Sequence, residues 1–266
     1  MVGDLIDGIE IVAVNISNLT PFTMAKIWLL YSITLFILLF SACQPKQAEI
    51  VISGTLAHNF EKQIYLSQIT PNGLILLDST EIKEGKFTFE LTAENKEESI
   101  TLQTPHFYQI SLSKENGLTT LARAGDHLTI TANAESLIKS YTISGSKDAE
   151  LMYLLDKNLN TFVDTVDNLM AIYNENVYND TIKVKIEERY LAAVEKHTTF
   201  LKQFIRQNGE SLASITAFYQ RYNRRIFLNS TENKNLADSL CQTLTLAYPT
   251  SEDVEFFRQQ IFLIKQ

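Results

Sequence analysis

Cysteine is scarce in this sequence, whose 266 residues contain only Cys43 and Cys241. No Cys-x-x-Cys motif is present, so the chain lacks the paired thiols that thiol–disulfide exchange enzymes use. Cys241 falls in a helix predicted over 232–247, on the same face as Ala237 and Leu244. We therefore expect Cys241 to be a small buried hydrophobic residue late in that helix, where the helix dipole opposes thiolate formation.

The short motifs that identify many enzymes are also missing. The sequence contains no Gly-x-Ser-x-Gly, no Gly-x-x-x-x-Gly-Lys and no Gly-x-Gly-x-x-Gly. Its four histidines lie far apart, and no pair has the spacing of a metal site; they are His58, His106, His127 and His197. We therefore expect no catalytic residue, no metal ion and no cofactor. Because His197 lies on an apolar helical face, we expect a hydrogen-bonded core histidine.

A strongly basic composition is absent too, since 23 Lys and Arg residues face 31 Asp and Glu residues, for a net charge of −8. Removing residues 1–42 takes away three acidic residues and one basic residue, which leaves a net charge near −6. Nucleic-acid binding relies on basic patches, so we expect no nucleic-acid partner. The cluster of Arg221, Arg224 and Arg225 is compatible with phosphate or glycan binding, but a solvated helix end is the simpler interpretation.

Long apolar runs are absent except near the N-terminus, where residues 27–40 are nearly all apolar. This run is shorter than the roughly 20 residues that a membrane-spanning helix needs. It follows Lys26 and precedes Ser41-Ala42-Cys43, an order typical of a secretory signal peptide that ends in a lipobox. We therefore expect residues 24–42 to be a lipoprotein signal peptide and Cys43 to carry lipid. The alternative is a signal anchor whose cysteine is incidental.

The same region predicts where translation starts and where in the cell the protein is located. Residues 1–23 carry acidic groups where a signal peptide is basic, so we expect translation to begin at Met24 and residues 1–23 to be an over-long gene start. Residues 43–49 then form the lipidated cysteine and a tether. Gln44 replaces the aspartate that retains lipoproteins in the inner membrane of some bacteria. We expect an outer-membrane lipoprotein that faces the periplasm, with exposure on the cell surface as the alternative.

Residues 50–146 show the period-two alternation of short β-strands, with turn pairs such as Glu84-Gly85 between them. The expected strands span residues 50–57, 62–69, 74–82, 86–91, 99–103, 107–113, 118–124 and 127–132. Regular short strands at this spacing predict an antiparallel β-sandwich or barrel-like domain over residues 50–146.

After residue 146 the apolar period becomes helical, which predicts an α-helical domain over 147–266 and an α+β fold class. Ser146 is placed to cap the first helix, and Tyr173 and Tyr190 fall on the apolar stripes of the first and second. Further helices are expected at 181–207, 211–223, 232–247 and 251–265, with Thr231 and Thr250 as caps of the last two.

Four aspartates are followed by Ser or Thr and then by an apolar residue or Thr, a pattern similar to the acceptor motif of an O-glycosylation system of some Gram-negative bacteria. The candidate acceptors are Ser79, Thr165, Thr181 and Ser239, with Thr165 and Thr181 the best placed. Asp-Ser and Asp-Thr pairs are also natural turn and cap residues, which is the alternative interpretation.

The order of several short segments resembles a known family. The segments are SGTLA (53–57), IYL (64–66), LLDST (76–80), EGKFTFE (84–90), ARAGDHLTI (122–130) and ISGSKDAELM (143–152). They are similar to the N-terminal domain of unknown function of exported thiol–disulfide oxidoreductase (thioredoxin-like) lipoproteins. The resemblance implies a β domain, a helical segment and then a thioredoxin-like domain with a Trp-Cys-x-x-Cys site. No position of this chain matches that cysteine pair, so no catalytic residue is carried over.

Three functions remain open from the sequence. The first is a non-enzymatic, lipid-anchored binding or accessory module, held to the membrane by its lipid and partnered by a redox protein. The second is a truncated or split thiol–disulfide oxidoreductase whose thioredoxin domain is encoded separately. The third, a carbohydrate-binding surface lipoprotein, rests on fold analogy, and the single tryptophan, Trp28, lies in the signal peptide.

Overall fold

A computed structural model of the chain describes residues 49–58, 62–93, 98 and 101–263. The predicted gene start over 1–23, the signal peptide over 24–42 and the lipidation site Cys43 lie outside the described residues. Within the described ranges, no helix combines the length and the apolar character needed to cross a bilayer. The fold is α+β, with β-strands preceding helices as predicted.

The strands form two four-stranded sheets. The first sheet has the order β4-β1-β7-β8, with β1 at Glu49–Ala57, β4 at Lys86–Thr92, β7 at His127–Asn133 and β8 at Thr142–Ser144. The second has the order β3-β2-β5-β6, with β2 at Gln63–Thr70, β3 at Gly73–Glu81, β5 at His106–Ser111 and β6 at Gly117–Ala122. Neighbouring strands are antiparallel except β1 and β7, which are parallel.

The alternation in the sequence places every second side chain of these strands in a shared core. Ile52 of β1 is fully buried, as is Ile64 of β2, and Phe89 of β4 is almost so. Burying one such side chain contributes about 1.5–3 kcal/mol to folding, whereas truncating Phe89 to Ala costs about 3–5 kcal/mol. Phe87 and Phe89 of β4 are both buried on one face, as the period-two alternation predicts.

The strand predicted at 99–103 is wrong over the described part of that segment. Thr101 is helical, and Leu102 donates its backbone N–H to the carbonyl of Glu98 at 2.9 Å. This bond joins residues four apart, as in a helical turn, and Pro105 follows shortly after it. The sequence pattern predicted a strand here, but local hydrogen bonding forms a helical turn instead.

Six labelled helices complete the described part of the fold. They are α1 (Leu137–Ser140), α2 (Lys147–Glu175), α3 (Asp180–Gln207), α4 (Ala213–Tyr219), α5 (Lys234–Ala247) and α6 (Glu252–Leu263). Helix α1 was not predicted. The predicted cap of α2 is confirmed, because the Ser146 hydroxyl accepts the Ala149 backbone N–H at 3.2 Å.

The helix predicted at 211–223 is too long. Helix α4 ends at Tyr219, and the chain then forms a small hairpin of β9 (Arg221–Tyr222) and β10 (Arg225–Ile226). Asn223 adopts a φ of 52° in the turn of this hairpin. Asparagine tolerates this left-handed conformation better than most residues, which explains why the turn forms here.

Both predicted caps of the last two helices are wrong as well. The cap position of α5 is Asn233 rather than Thr231. At α6 the Ser251 hydroxyl, not that of Thr250, accepts the backbone N–H of Val254 at 3.4 Å. Pro249 precedes this cap, so the cap lies two residues beyond the proline.

The helices pack around a second apolar core that reaches into the β-sheets. Phe162 of α2, Leu201 of α3 and Phe257 of α6 are buried in this core, together with Phe107 of β5 and Leu121 of β6. Helix α2 therefore packs against the end of the second sheet and anchors the helices to the strands. This packing positions the far halves of α2 and α3 beside the β9–β10 hairpin.

Candidate functional site

A cleft of about 1000 Å³ lies between the C-terminal half of α2, the N-terminal half of α3 and the β9–β10 hairpin. We call it the tyrosine–arginine cleft, after its lining residues Tyr173, Tyr190, Tyr222, Arg224 and Arg225. Its size is within the range of sites that hold small ligands or anchoring side chains of a partner.

The floor of the cleft is apolar because the helical stripes of α2 and α3 continue into it. Val166 and Leu169 of α2 are buried, and Ile186 of α3 is half-buried. Tyr222 covers one end, with its ring packed edge-on against Phe162 at 5.5 Å between centroids. Met170 and Ile226 line the cleft and remain exposed to solvent.

A pair of side chains from α3 and the hairpin joins the two walls. The Nε of Arg225 donates a hydrogen bond to the Tyr190 hydroxyl at 2.9 Å. The guanidinium carbon of Arg225 lies 5.4 Å from the centre of the Tyr190 ring, within cation–π range. The hydrogen bond uses only the Nε–H, so the fork of the guanidinium can still receive a carboxylate.

The rim of the cleft is positively charged although the chain is acidic. Lys183, Arg224 and Arg225 line it, against the single carboxylate of Glu187. Lys183 pairs with Asp180 at 3.1 Å, whereas no ion pair between described residues involves either arginine. The interpretation of the arginine cluster as a helix end is wrong, since these residues lie on the hairpin.

A second cleft, of about 700 Å³, is polar and nearly balanced in charge. Arg123, Lys147 and Arg206 line it together with Asp148 and Glu210. The Asp148 carboxylate accepts the Ser211 hydroxyl at 2.6 Å. Since charges of both signs line this cleft and its apolar surface is smaller, it offers less to a partner than the tyrosine–arginine cleft.

His197 is a hydrogen-bonded core residue, as predicted. Its Nδ1 lies 2.7 Å from the Asn158 Oδ1 and its Nε2 lies 2.9 Å from the Gln220 Oε1. Burial lowers the pKa of His197, which favours the neutral ring. A neutral ring donates from one nitrogen only, so one of the two amides must turn its NH₂ toward the ring. His197 is thus part of the helical core.

The other three histidines belong to no metal site formed by the residues that the structure describes. No group of three or more His, Cys, Asp or Glu side chains within the described ranges is arranged to hold a metal ion. His106 of β5 contacts Gln68 through Nδ1 at 3.3 Å and the Thr101 carbonyl through Nε2 at 3.1 Å. These contacts give His106 a structural role at the start of β5.

The expectation that Cys241 is buried is wrong in degree. Cys241 is half-buried and is the eighth of the 14 residues of α5. The buried stripe consists of Ala237, Leu240 and Leu244, and Cys241 lies at its margin. Because Cys241 is central in the helix, the dipole argument based on a late position also loses its force.

The candidate glycosylation residues lie on separate elements. Ser79 is exposed on β3, Thr181 is exposed in the first turn of α3, and Ser239 is exposed on α5. Thr165 on α2 is half-buried, and its hydroxyl donates to the Thr161 carbonyl at 2.8 Å. Solvent exposure alone therefore favours Thr181 over Thr165 as a glycosylation site. Glycosylation of each of the four residues stays a prediction.

Sequence reasoning missed the tyrosine–arginine cleft although part of its signal was visible. Tyr173 is the last residue of the first predicted apolar stripe, and Tyr190 lies near the start of the second. Tyr222 and Arg225 join them only through the hairpin, which sequence periodicity did not predict. The cleft depends on this long-range contact.

The β-sheets and the start of α2 match a known family model. Residues 50–152 match the model described as Domain of unknown function (DUF4369). No curated protein and no solved structure matches the chain. The matched segment ends within the first two turns of α2, so the tyrosine–arginine cleft lies outside it. No enzyme family is found, and the match by itself does not link the chain to thioredoxin-like oxidoreductases.

Proposed function

We propose that this protein is a lipid-anchored binding module of the bacterial cell envelope, without catalytic activity of its own. The observation that carries this proposal is the tyrosine–arginine cleft. It combines an apolar floor, three tyrosines and two arginines that no described carboxylate pairs. Tyrosine and arginine are the residues that most often dominate protein–protein binding energy.

The chemistry of the cleft specifies the kind of segment it receives. The floor accepts an apolar side chain, and the arginines at the rim accept carboxylates on either side of it. A partner segment with one or two large apolar residues flanked by Asp or Glu satisfies both requirements. The partner is therefore an acidic polypeptide. Its carboxylates are attracted to the arginines at the rim of the cleft, whereas the rest of this acidic chain repels them.

The proposals of a lipid anchor and of a redox partner are based on the sequence. Cys43 follows a signal-like segment, and several acyl chains on one cysteine give stable membrane attachment. The resemblance to exported thiol–disulfide oxidoreductases favours a thioredoxin-like protein with a Trp-Cys-x-x-Cys site as the partner. A single half-buried thiol cannot complete a two-electron exchange cycle, which supports a role beside the enzyme rather than as the enzyme.

The test is retention of envelope proteins by full-length protein and two charge variants. Arg225→Glu reverses a cation inside the cleft, and Lys185→Glu makes the same change on α3 outside it. Wild type and Lys185→Glu should retain the same acidic protein from a detergent extract of the source membranes. Arg225→Glu should lose most of it, since the change replaces an attractive charge at the rim by a repulsive one.

Three tyrosines in one cleft also favour sugar binding as the alternative, because sugar rings stack on aromatic faces. A glycan array separates the two functions. Binding of neutral glycans that is lost with Tyr190→Ala and kept with Arg225→Glu would replace the protein partner by carbohydrate. Equal retention of all proteins by wild type and Arg225→Glu would contradict the proposal outright.

A further inference from the structure

Strand β3 exposes an apolar segment at the edge of the second sheet. Leu74 is 58% exposed, Ile75 52%, Leu76 61% and Leu77 39%. Successive residues of a strand point to opposite faces, so β3 is open to solvent on both of its faces. Four consecutive exposed aliphatic residues are unusual for an edge strand and need a physical explanation.

The edge strand of the other sheet has the opposite composition. The outward residues of β4 are Lys86, Thr88, Glu90 and Thr92, all exposed and polar. Charged and polar side chains on an edge oppose pairing with another chain. This protein thus protects the edge at β4 and leaves the edge at β3 unprotected.

The backbone of β3 is also available for pairing. Strand β2 pairs with one side of β3, and no described strand pairs with the other side. A β-bulge interrupts the ladder between Leu76 and Asp78, so the regular part of the edge is Gly73–Leu76. Beyond the bulge, the Asp78 carboxylate accepts the Ser79 N–H at 2.7 Å, which occupies that backbone donor.

Charge limits what can occupy this edge. Residues 63–77 contain no charged residue, although the chain carries a net charge of −8. A charged partner gains nothing at this surface, whereas two copies of the same acidic chain can approach here with little repulsion. The occupant must supply backbone hydrogen bonds and uncharged apolar side chains, which is what β3 itself supplies.

We propose that β3 pairs with β3 of a second copy of this chain, antiparallel across a two-fold axis. The pairing joins two four-stranded sheets into one eight-stranded sheet. With the axis at Ile75, this residue faces its own copy and Leu74 faces the partner's Leu76, because a two-fold antiparallel pairing places one residue opposite its own copy. Asp78 lies beyond this paired part, so no carboxylates oppose each other. An isologous contact of this kind closes at a dimer.

The size of the contact predicts a weak dimer. If each of the four aliphatic side chains loses on the order of 70–100 Å² of exposed surface, each copy buries about 300–400 Å². This is about half of the ~800 Å² per partner in a standard interface. Self-association is therefore reversible and depends on concentration. The proposal does not depend on the function of the tyrosine–arginine cleft.

A lipid bilayer is a poorer occupant of the same surface. The aliphatic side chains would enter hydrocarbon readily, but the open edge would bring unpaired N–H and C=O groups with them. Such groups cost several kcal/mol each in a bilayer core, so open sheet edges do not occur there. A second strand satisfies these groups, and a membrane does not.

The test is disulfide trapping of the full chain in the source cell, in a Cys241→Ala background. Ile75→Cys places a thiol at the proposed two-fold axis, and Thr88→Cys places one on the polar edge of β4. Trapped dimer should be at least about tenfold higher at position 75 than at 88, because only paired strands bring the Cα atoms within disulfide reach. Adding Leu74→Lys to Ile75→Cys should return the yield to that of Thr88→Cys.

Sedimentation of the detergent-solubilised full chain provides the second measurement. Wild type should pass from monomer to dimer as concentration rises, and a Leu74→Lys, Leu76→Lys variant should stay monomeric. Because both side chains are exposed, this variant should keep its melting curve. Equal trapping at positions 75 and 88, or species larger than a dimer, would overturn the proposal. So would a fluorophore on Ile75→Cys that is quenched by lipid-borne quenchers in phosphatidylcholine vesicles.

Discussion

Replacing Asp156 by Asn should make the folding stability less dependent on pH. The Asp156 carboxylate on α2 accepts a hydrogen bond from the Tyr141 hydroxyl at 2.7 Å, between the strands and the helices. Burial raises the pKa of Asp156 from 3.8 to about 6, and the hydrogen bond from Tyr141 offsets part of that rise. The same burial, together with the carboxylate, raises the pKa of Tyr141, so the phenol remains the donor.

The sign of the effect follows from the raised pKa. The folded protein holds the proton of Asp156 more tightly than the unfolded chain does. This contribution to stability is complete below about pH 3.8 and is lost as the pH rises through about 6. Each pH unit between the two pKa values corresponds to about 1.4 kcal/mol, so the full loss is about 3 kcal/mol. About 2 kcal/mol of it falls between pH 4.5 and pH 7.5.

The assay is urea unfolding followed by circular dichroism at several pH values between 4.5 and 7.5. Asp156→Asn keeps an oxygen that can accept the Tyr141 hydroxyl but cannot ionise. The difference in unfolding free energy between Asp156→Asn and the wild type should therefore rise in favour of the variant, by about 2 kcal/mol, as the pH increases from 4.5 to 7.5. Asp164→Asn, at an exposed carboxylate of the same helix, is the matched control. A difference between wild type and Asp156→Asn that does not change with pH would refute the reasoning.

Three further predictions concern the sulfur atoms and the helical core. Palmitate labelling should be lost in Cys43→Ser, and equal labelling of this variant and the wild type would contradict lipid attachment at Cys43. His197→Ala should lower the unfolding free energy by about 2–4 kcal/mol, because it opens a cavity and leaves Gln220 without its partner; a urea midpoint equal to that of the wild type would contradict this role. Purified protein should reduce insulin no faster than dithiothreitol alone, and turnover that disappears in Cys241→Ala would show that the chain is an enzyme.

Local patterns in the sequence predicted much of the fold. The change from a period of two to a helical period located the transition from strands to helices near Ser146, where the cap forms. The apolar helical face around His197 correctly indicated a core histidine. These features depend on residues within a few positions of each other, so sequence reasoning reaches them.

Features that depend on long-range packing were not predicted. The run Leu74–Leu77 is typical of a buried strand, but β3 lies at a sheet edge, and the sheet order is set by contacts with distant segments. The β9–β10 hairpin interrupts a pattern that resembles a helix, since its strands have only two residues each. The partnership of Tyr141 with Asp156 likewise joins residues from different elements.

The two surfaces differ in chemistry, and we propose a separate role for each. The tyrosine–arginine cleft is formed by helices and a hairpin and is positively charged at its rim. The β3 edge is uncharged and belongs to the part of the chain that matches a family model. Substitutions at one surface should therefore leave the other unaffected, since no residue of the β3 edge lines the cleft.

Site-specific photo-cross-linking in the source cell tests the proposal that the tyrosine–arginine cleft binds a partner most directly. A photoreactive residue replaces Ile226, an exposed residue of the cleft, or Leu191, an exposed residue of α3 outside it. We predict that Ile226 cross-links to one acidic envelope protein, that Leu191 does not, and that adding Arg225→Glu abolishes the cross-link. The same products from both positions, or a cross-link at Ile226 that persists with Arg225→Glu, would contradict the cleft as the binding site.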